Sequence, residues 1–330
     1  MDPNRTVCPT RRARRADPAR SERARLRAPR SARPWVALGL AVLASSCSIE
    51  RYATGKVADA LAATGGTYAS DDDVELIREA SPFGLKLMEN VLQSQPEHQN
   101  LLTALAAGFV QYSYAFVALD GDIAEPESLQ RGDALHERAR KLYLRGRDYG
   151  LRALEVAQPG FRAELARDPI AAAAMLGEPE MQALYWTSAG WGAAISLSKD
   201  RPDTVADQPT LQALLDRALI VDEGFGDGAL RTLLIVYEPS RIGGGRDGNE
   251  RARRNFARAC ELSRGHSAGP YVALAETVCI AEQERAEFTQ LLETALAIDV
   301  DAVPEHRVEN LVQQRRARWL LSRTDELFLE

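Results

Sequence analysis

Apolar residues recur every three to four positions from about residue 72 to the end of the chain, which is the spacing of one face of an α-helix. The clearest run contains Leu76, Ile77, Ala80, Leu85, Leu87, Met88, Val91 and Leu92. Ser70 and the aspartates at 71–73 precede it, and we interpret them as a helix N-cap with acids at the positive end of the helix dipole. Pro96 and Pro159 separate helical runs. Because no alternating β-branched run occurs, the sequence predicts an all-α fold.

A short sequence motif recurs along the chain. It ends in an Ala-Leu-like pair and is followed by a short polar turn. It occupies residues 90–92, 153–155, 218–220, 259–262 and 295–298. The last two copies are 36 residues apart, close to the tetratricopeptide period of roughly 34 residues, whereas the earlier intervals of 62, 65 and 41 residues imply insertions. We therefore predict degenerate tetratricopeptide-like helical hairpins that form a compact α-solenoid. The alternative is a non-repeating helical bundle.

Two predicted helices, residues 100–119 and 181–198, carry no charge. The first is long enough to cross a bilayer, but the polar residues of its second half favour a buried core helix. The second is rich in Gly, Ser and Ala, which favours close helix packing. These helices hold six aromatic residues that we select as candidate ligand-binding or pore-lining residues: Tyr112, Tyr114, Phe116, Tyr185, Trp186 and Trp191. Core packing is the alternative for each of them.

The N-terminal 47 residues have the organisation of an export signal. Residues 1–34 form an Arg-rich arm with too few apolar residues to fold, and residues 35–44 are an uncharged apolar run that is too short to span a bilayer. The small residues before Cys47 resemble a bacterial lipoprotein signal, which makes Cys47 the predicted lipidated first residue of the mature chain. The alternative is an ordinary secretory signal with a coincidental Cys. We accordingly divide the chain into a disordered arm (1–34), a signal and lipobox (35–47) and a single helical-repeat domain (48–330).

Charge and composition exclude several classes of function. Residues 1–46 carry eleven Arg and three acids, so the rest of the chain has 30 basic and 44 acidic residues, a net charge of −14. Such acidity argues against a nucleic-acid partner. The four His and four Cys are too scattered for a metal site, no catalytic set is recognisable, and we expect neither enzyme activity nor a cofactor. Cys260 and Cys279 are either buried thiols or, in an oxidising compartment, a disulfide.

Several long phrases of the mature chain resemble one family. They are SIERYATGKVADAL (48–61), SDDDVELIREASPFGLKLMENVL (70–92), GFVQYSYAFV (108–117), ARKLYLRGRDYGLRALE (139–155), LYWTSAGWGAAISLSKDRP (184–202) and NLVQQRRARWLLSRTDELFLE (310–330). In this order they resemble the TatT family, the tetratricopeptide-like lipoprotein component associated with TRAP (tripartite ATP-independent periplasmic) transporters. The arm of residues 1–34 has no counterpart in that pattern.

The resemblance implies an all-α lipoprotein with a pore through its body and a homotrimeric assembly. It also implies a periplasmic substrate-binding protein of the TRAP system as partner, to which a small, hydrophobic ligand would be handed. The six aromatic residues fall in phrases of the family, and their role as pore lining is a hypothesis from position and chemistry. Ser48 after the lipid-bearing Cys favours the outer membrane. The rival hypothesis is a generic envelope scaffold lipoprotein that binds no ligand.

Overall fold

The computed structural model describes residues 53–63, 65–198 and 201–329; the predicted arm, the signal segment and Cys47 lie outside them. Within these ranges every regular element is helical, which confirms the all-α prediction. The α-helices are α1 (53–62), α2 (Gly65–Ala69), α3 (Val74–Ser94), α4 (Gln99–Tyr112), α5 (Leu119–Ala124), α6 (Leu129–Ala157), α7 (Phe161–Arg167), α8 (Pro169–Ala174), α9 (Met181–Ser196), α10 (Pro202–Val205), α11 (Gln208–Val221), α12 (Phe225–Tyr237), α13 (Gly248–Leu262), α14 (Gly269–Leu274), α15 (Ile280–Glu282), α16 (Arg285–Ala297), α17 (Arg307–Ser322) and α18 (Thr324–Leu327). Two π-helical turns, Ser113–Ala118 and Ala275–Cys279, lie inside longer helices, and 3₁₀ turns occupy Glu178–Glu180, Glu238–Ser240, Gly245–Asp247 and Pro304–His306.

The start of α3 is fixed by a side-chain cap. The carboxylate of Asp73 accepts hydrogen bonds from the backbone N–H groups of Glu75 at 3.1 Å and Leu76 at 2.9 Å. This confirms the N-cap predicted for this segment. Pro96 lies in the turn after α3 and Pro159 in the turn after α6, so both prolines separate helices as predicted.

One helix runs without a break from Gln99 to Ala124 through α4, the first π-helical turn and α5. It is long and apolar enough to cross a membrane, with a mean hydropathy of 1.5, yet 61% of its most apolar window is buried inside the protein. Helices α3, α6 and α9 pack around it. Its apolar surface therefore belongs to the protein core, as expected for this uncharged segment.

The apolar side chains form two large clusters that follow each other along the chain. The first contains fully buried Leu154 and Phe161 and extends to α12, while the second contains fully buried Phe288 and extends from α12 to the C-terminal residues. Helix α12 contributes to both clusters, because Leu234 and Tyr237 belong to the first and Ile235 to the second. The fold is thus two helical cores joined along α12.

Glycine permits the close crossing of α6 and α9. A Cβ atom on Gly190 would lie 2.9 Å from Val110 Cγ2 and 3.0 Å from the carbonyl oxygen of Tyr143, which is closer than side chains normally approach. This agrees with the close packing expected for the Gly-, Ser- and Ala-rich segment 181–198.

The last long helix returns to the first ones. Arg307 of α17 donates from Nη1 to the backbone oxygen of Ser70 at 2.6 Å, and α17 packs against α2 and α3. In an open repeat array each repeat contacts only its neighbours. Here α17 contacts α2 and α3, although more than 200 residues of chain separate them.

Candidate functional site

The six aromatic residues selected from the sequence lie on two helical segments that both pack on α6. Tyr112 ends α4, Tyr114 and Phe116 belong to the first π-helical turn, and Tyr185, Trp186 and Trp191 belong to α9. Tyr112 and Trp186 pack against the same small apolar cluster, which contains Tyr143 and Val110. The structure therefore brings the two aromatic sets close to each other and to α6, since α4 and α9 also pack against one another.

Two of the six are core residues with structural contacts. Phe116 is 3% exposed and its ring lies 4.8 Å from the guanidinium of Arg78. Trp191 is 6% exposed, and its indole N–H donates to Asp207 Oδ2 at 2.9 Å. Their burial favours a packing role over contact with a ligand.

Tyr114 differs from both, because it combines exposure with a dense protein environment. Its side chain is 37% exposed, and its hydroxyl donates to Gln313 Oε1 of α17 at 3.2 Å. Burial of the hydroxyl end is nevertheless the main cause that raises the pKa of Tyr114, while the positive charge of Arg316 works against it. The ring of Tyr114 is therefore partly accessible to solvent, while its hydroxyl is enclosed by protein.

Tyr185 belongs to the same neighbourhood. Its ring lies 4.9 Å from the rings of both Trp186 and Phe225, and all three are partly buried. Burial raises the pKa of Tyr185, and the charge of Glu309 on α17 and the nearby Tyr114 hydroxyl add to the shift. Residues from α9, the first π-helical turn and α17 thus share one electrostatic environment.

Arg316 on α17 is the charged centre of this region. Its side chain is 11% exposed and pairs with Glu276 through Nε at 2.7 Å and Nη2 at 2.5 Å, and with Asp122 Oδ2 through Nη1 at 2.9 Å. Its guanidinium lies 5.9 Å from the ring centre of Tyr114. Burial alone would lower the pKa of Arg316, but the charges of Glu276 and its other neighbours outweigh burial and raise it.

A second cluster of charges lies beside the first. Asp120 pairs with Arg78 of α3 at 2.6 Å and with Arg315 of α17 at 3.1 Å. Asp122 also contacts His136 Nε2 at 2.9 Å, and this hydrogen bond is the main cause that raises the pKa of His136. The two acids of α5 therefore join α3, α6 and α17, and α17 is also paired with the second π-helical turn through Glu276.

Sequence reasoning missed this charged region. The sequence feature that could have indicated it is the position of Asp120 and Asp122 at the end of a long uncharged run, because acidic side chains in so apolar a helix need charged or hydrogen-bonding partners. The partners lie on α17, almost 200 positions away, and no local spacing connects the two segments.

No group of three His, Cys, Asp or Glu residues that could hold a metal ion occurs in the ranges the structure describes. Cys260 and Cys279 are both free thiols. Cys279 is fully buried, its Sγ lies 3.4 Å from Glu287 Oε2, and burial is the main cause that raises its pKa to about 12. The geometry favours the buried-thiol alternative over the disulfide.

These features define an all-helical protein in which aromatic and charged side chains of α5, α9, α17 and the two π-helical turns lie close together. The chain belongs to the TRAP transporter T-component family, whose sequence profile matches residues 70–328. It is also 30% identical over 273 residues to an uncharacterized protein of Treponema pallidum (strain Nichols), covering 80% of this chain and 83% of that one. The T-component family is a transporter accessory family and not a known enzyme family. Membership in it indicates association with TRAP transporter components and a location in the cell envelope or periplasm.

Proposed function

We propose that this protein is a lipid-anchored, non-enzymatic accessory component of a TRAP-type transporter. In this proposal it docks a periplasmic substrate-binding protein and helps to hand over a small, hydrophobic ligand. The partial exposure of Tyr114 among the helices that surround it is the observation that carries the ligand part of the proposal. An aromatic side chain that is 37% exposed while surrounded by helices supplies apolar contact area where a ligand can be shielded from water.

The proposed lining consists of four of the six aromatic residues: Tyr112, Tyr114, Tyr185 and Trp186. We leave Phe116 and Trp191 out of it because each is buried in a packing role. A passage through the body is part of the proposal. Its support is the contact of α17 with helices from the start of the described chain, as expected if tetratricopeptide-like hairpins form a ring. Arg316 would then hold the wall of the passage together from α17.

The remaining parts of the proposal concern the chain outside the site. Residues 1–34 would be a disordered arm and residues 35–47 a cleaved signal, and Cys47 would carry the lipid that attaches the domain of residues 48–330 to the outer membrane. A homotrimer is the proposed assembly. Two or more acyl chains hold a protein firmly at a membrane, which suits a component that works beside a permease.

The first test is a pull-down of the mature protein from a periplasmic extract of its own host, read by mass spectrometry. Stoichiometric recovery of a TRAP-type substrate-binding protein is the expected result. Recovery of envelope-assembly proteins alone would favour the scaffold hypothesis instead. Mass spectrometry of the membrane-extracted protein tests acylation of Cys47 separately.

The second test concerns the lining. Native mass spectrometry of protein purified from the host should detect a bound small molecule, which Tyr114→Ala and Trp186→Ala should each release. Trp191→Phe is the control, because it keeps an aromatic ring in the core and should retain the ligand. Equal ligand content in all variants, with unchanged circular dichroism, would refute the assignment of the lining.

A further inference from the structure

A surface depression of about 280 Å³ lies between α3 and α6, on the outside of the molecule. Three basic side chains line it, Lys86, Arg145 and Arg152, together with one acid, Glu89. These four side chains carry a net charge of +2 within a domain whose net charge is −14. The depression is therefore a local positive region on an acidic protein.

The floor of the depression is an organised network. Glu89 is 7% exposed and accepts hydrogen bonds from the hydroxyl of Tyr149 and from Lys86 Nζ, both at 2.6 Å, and it pairs with Arg145. Burial would raise the pKa of Glu89, but these hydrogen bonds and the charge of Arg145 outweigh burial and lower it. Glu89 thus stays ionised and fixes the surrounding cations in place.

Arg152 completes the rim of the depression. Its Nη2 donates to the backbone oxygen of Pro96 at 3.0 Å, and its guanidinium lies 5.5 Å from the ring centre of Tyr149. A guanidinium carries five N–H donors in a planar fork that matches phosphate oxygens. The contact with Pro96 orients that fork at the mouth of the depression.

An apolar stripe adjoins the depression on α3. Phe83 is 74% exposed and Leu87, one turn later, is 39% exposed. Lys86 lies between them in sequence and contributes to the depression. Large apolar side chains exposed beside cations are typical of helices that lie in the headgroup region of a membrane.

The described chain begins close to this face. His98 Nε2 contacts Asp59 Oδ1 at 3.2 Å, which holds α1 against the turn that contains Pro96. Cys47 precedes residue 53, where the description begins, by six residues, and six extended residues span at most about 20 Å. A lipid on Cys47 would therefore tether this end of the molecule near the bilayer.

We propose that this face, defined by Phe83, Lys86, Leu87, Arg145 and Arg152, rests on an anionic phospholipid bilayer. A lipid phosphate would occupy the depression, and the two apolar side chains would enter the boundary between headgroups and acyl chains. The orientation follows from electrostatics, because an acidic domain approaches an anionic surface through the side on which cations dominate. The inference rests on the proposed function through the lipid on Cys47.

The test uses the mature chain from residue 48, which carries neither the Arg-rich arm and apolar signal segment nor an acyl chain. Partition is measured by co-sedimentation with vesicles of phosphatidylglycerol and phosphatidylcholine (1:1) and with vesicles of phosphatidylcholine alone. We expect the protein to partition more strongly onto the anionic vesicles. The double variant Lys86→Gln/Arg152→Gln should reduce the partition coefficient on these vesicles about 25-fold, because each charge near the surface contributes about five-fold. Phe83→Ser should weaken partition about ten-fold or more on both vesicles.

Matched controls come from other faces of the protein. Arg254→Gln removes a cation whose side chain is 67% exposed, against 64% for Lys86, and Ile220→Ser removes an apolar residue that is 74% exposed, like Phe83. Both controls should change partition less than two-fold. Equal effects of the controls and of the α3 variants would overturn the proposal, as would equal partition onto both kinds of vesicle.

Two further outcomes separate this inference from its alternatives. If the protein binds inorganic phosphate in the depression but does not bind vesicles, the depression is a small-anion site and the membrane proposal is overturned. Loss of the TRAP binding protein from the pull-down of Phe83→Ser, with vesicle partition unchanged, would make the face a protein interface and likewise overturn it. Vesicle binding that survives when no TRAP protein is recovered would support this inference while the proposed function fails.

Discussion

Arg316→Met removes the side chain that joins α17 to α5 and to the second π-helical turn, while it keeps an apolar stem. The guanidinium donates three hydrogen bonds to two carboxylates, those of Glu276 and Asp122. Breaking a buried ion pair costs about 3–5 kcal/mol because the remaining charge is left without a partner. Glu276 is 33% exposed and can bind water, and Asp122 keeps His136 at 2.9 Å, so we expect the lower end of that range, about 3 kcal/mol.

The assay is equilibrium unfolding in urea, followed by tryptophan fluorescence and circular dichroism. Trp191 lies in the first core and Trp319 packs against the second, so the fluorescence reports on both. The urea concentration at the midpoint of unfolding should fall in Arg316→Met. The control is Arg318→Met, on the exposed side of the same helix, which should change the unfolding free energy by less than about 0.5 kcal/mol.

A double-mutant cycle with Glu276→Gln separates the ion pair from other effects of the substitution. The double variant should be less destabilised than the sum of the single variants, with a coupling energy of about 1 kcal/mol or more. A destabilisation of Arg316→Met below about 1 kcal/mol, or equal to that of Arg318→Met, would refute the conclusion that this arginine holds α17 against α5 and the second π-helical turn.

Two other predictions concern titration and packing. The hydrogen bond with Asp122 raises the pKa of His136 in the folded protein, so the stabilisation from protonated His136 is complete below the ordinary pKa of histidine and is lost as the pH rises through the raised pKa. Between pH 5.5 and 8.5 the urea midpoint should therefore fall more in the wild type than in His136→Gln. A difference between the two midpoints that does not depend on pH would contradict this. Gly190→Ala should lower the free energy of unfolding by about 1–3 kcal/mol through overpacking. Gly192→Ala is the control: its Cβ would meet its nearest atom at 3.4 Å, so this variant should be neutral or stabilising by up to about 1 kcal/mol. Equal thermal midpoints of the two variants would argue against the close crossing of α6 and α9.

The sequence predicted what local chemistry determines. The cap at Asp73, the helix breaks at Pro96 and Pro159 and the buried central helix each depend on neighbouring residues or on a run of one polarity, and the structure confirms them. The family was also evident from the sequence, because long phrases in a fixed order carry more information than any single spacing.

The site was only partly predictable, because which way a side chain faces depends on distant packing. Tyr114 and Phe116 are two positions apart, yet one is 37% exposed beside α17 and the other is 3% exposed under Arg78. The Arg316 contacts join α17 to α5 and to the second π-helical turn, which no local pattern encodes. A π-helical turn likewise leaves no clear mark in an apolar sequence.

Each π-helical turn holds one residue more than a regular α-helix of the same length, and each supplies a neighbour of Arg316: Tyr114 in the first and Glu276 in the second. One residue corresponds to about 100° of rotation around a helix axis. Everything after Ser113–Ala118, including Asp120 and Asp122, therefore has its direction set by that additional residue. Deleting one residue there would leave the composition and apolar character of the helix almost unchanged, yet it would rotate both acids away from their arginines. The loss of a single codon is thus enough to remove the ion pairs between α5 and α17.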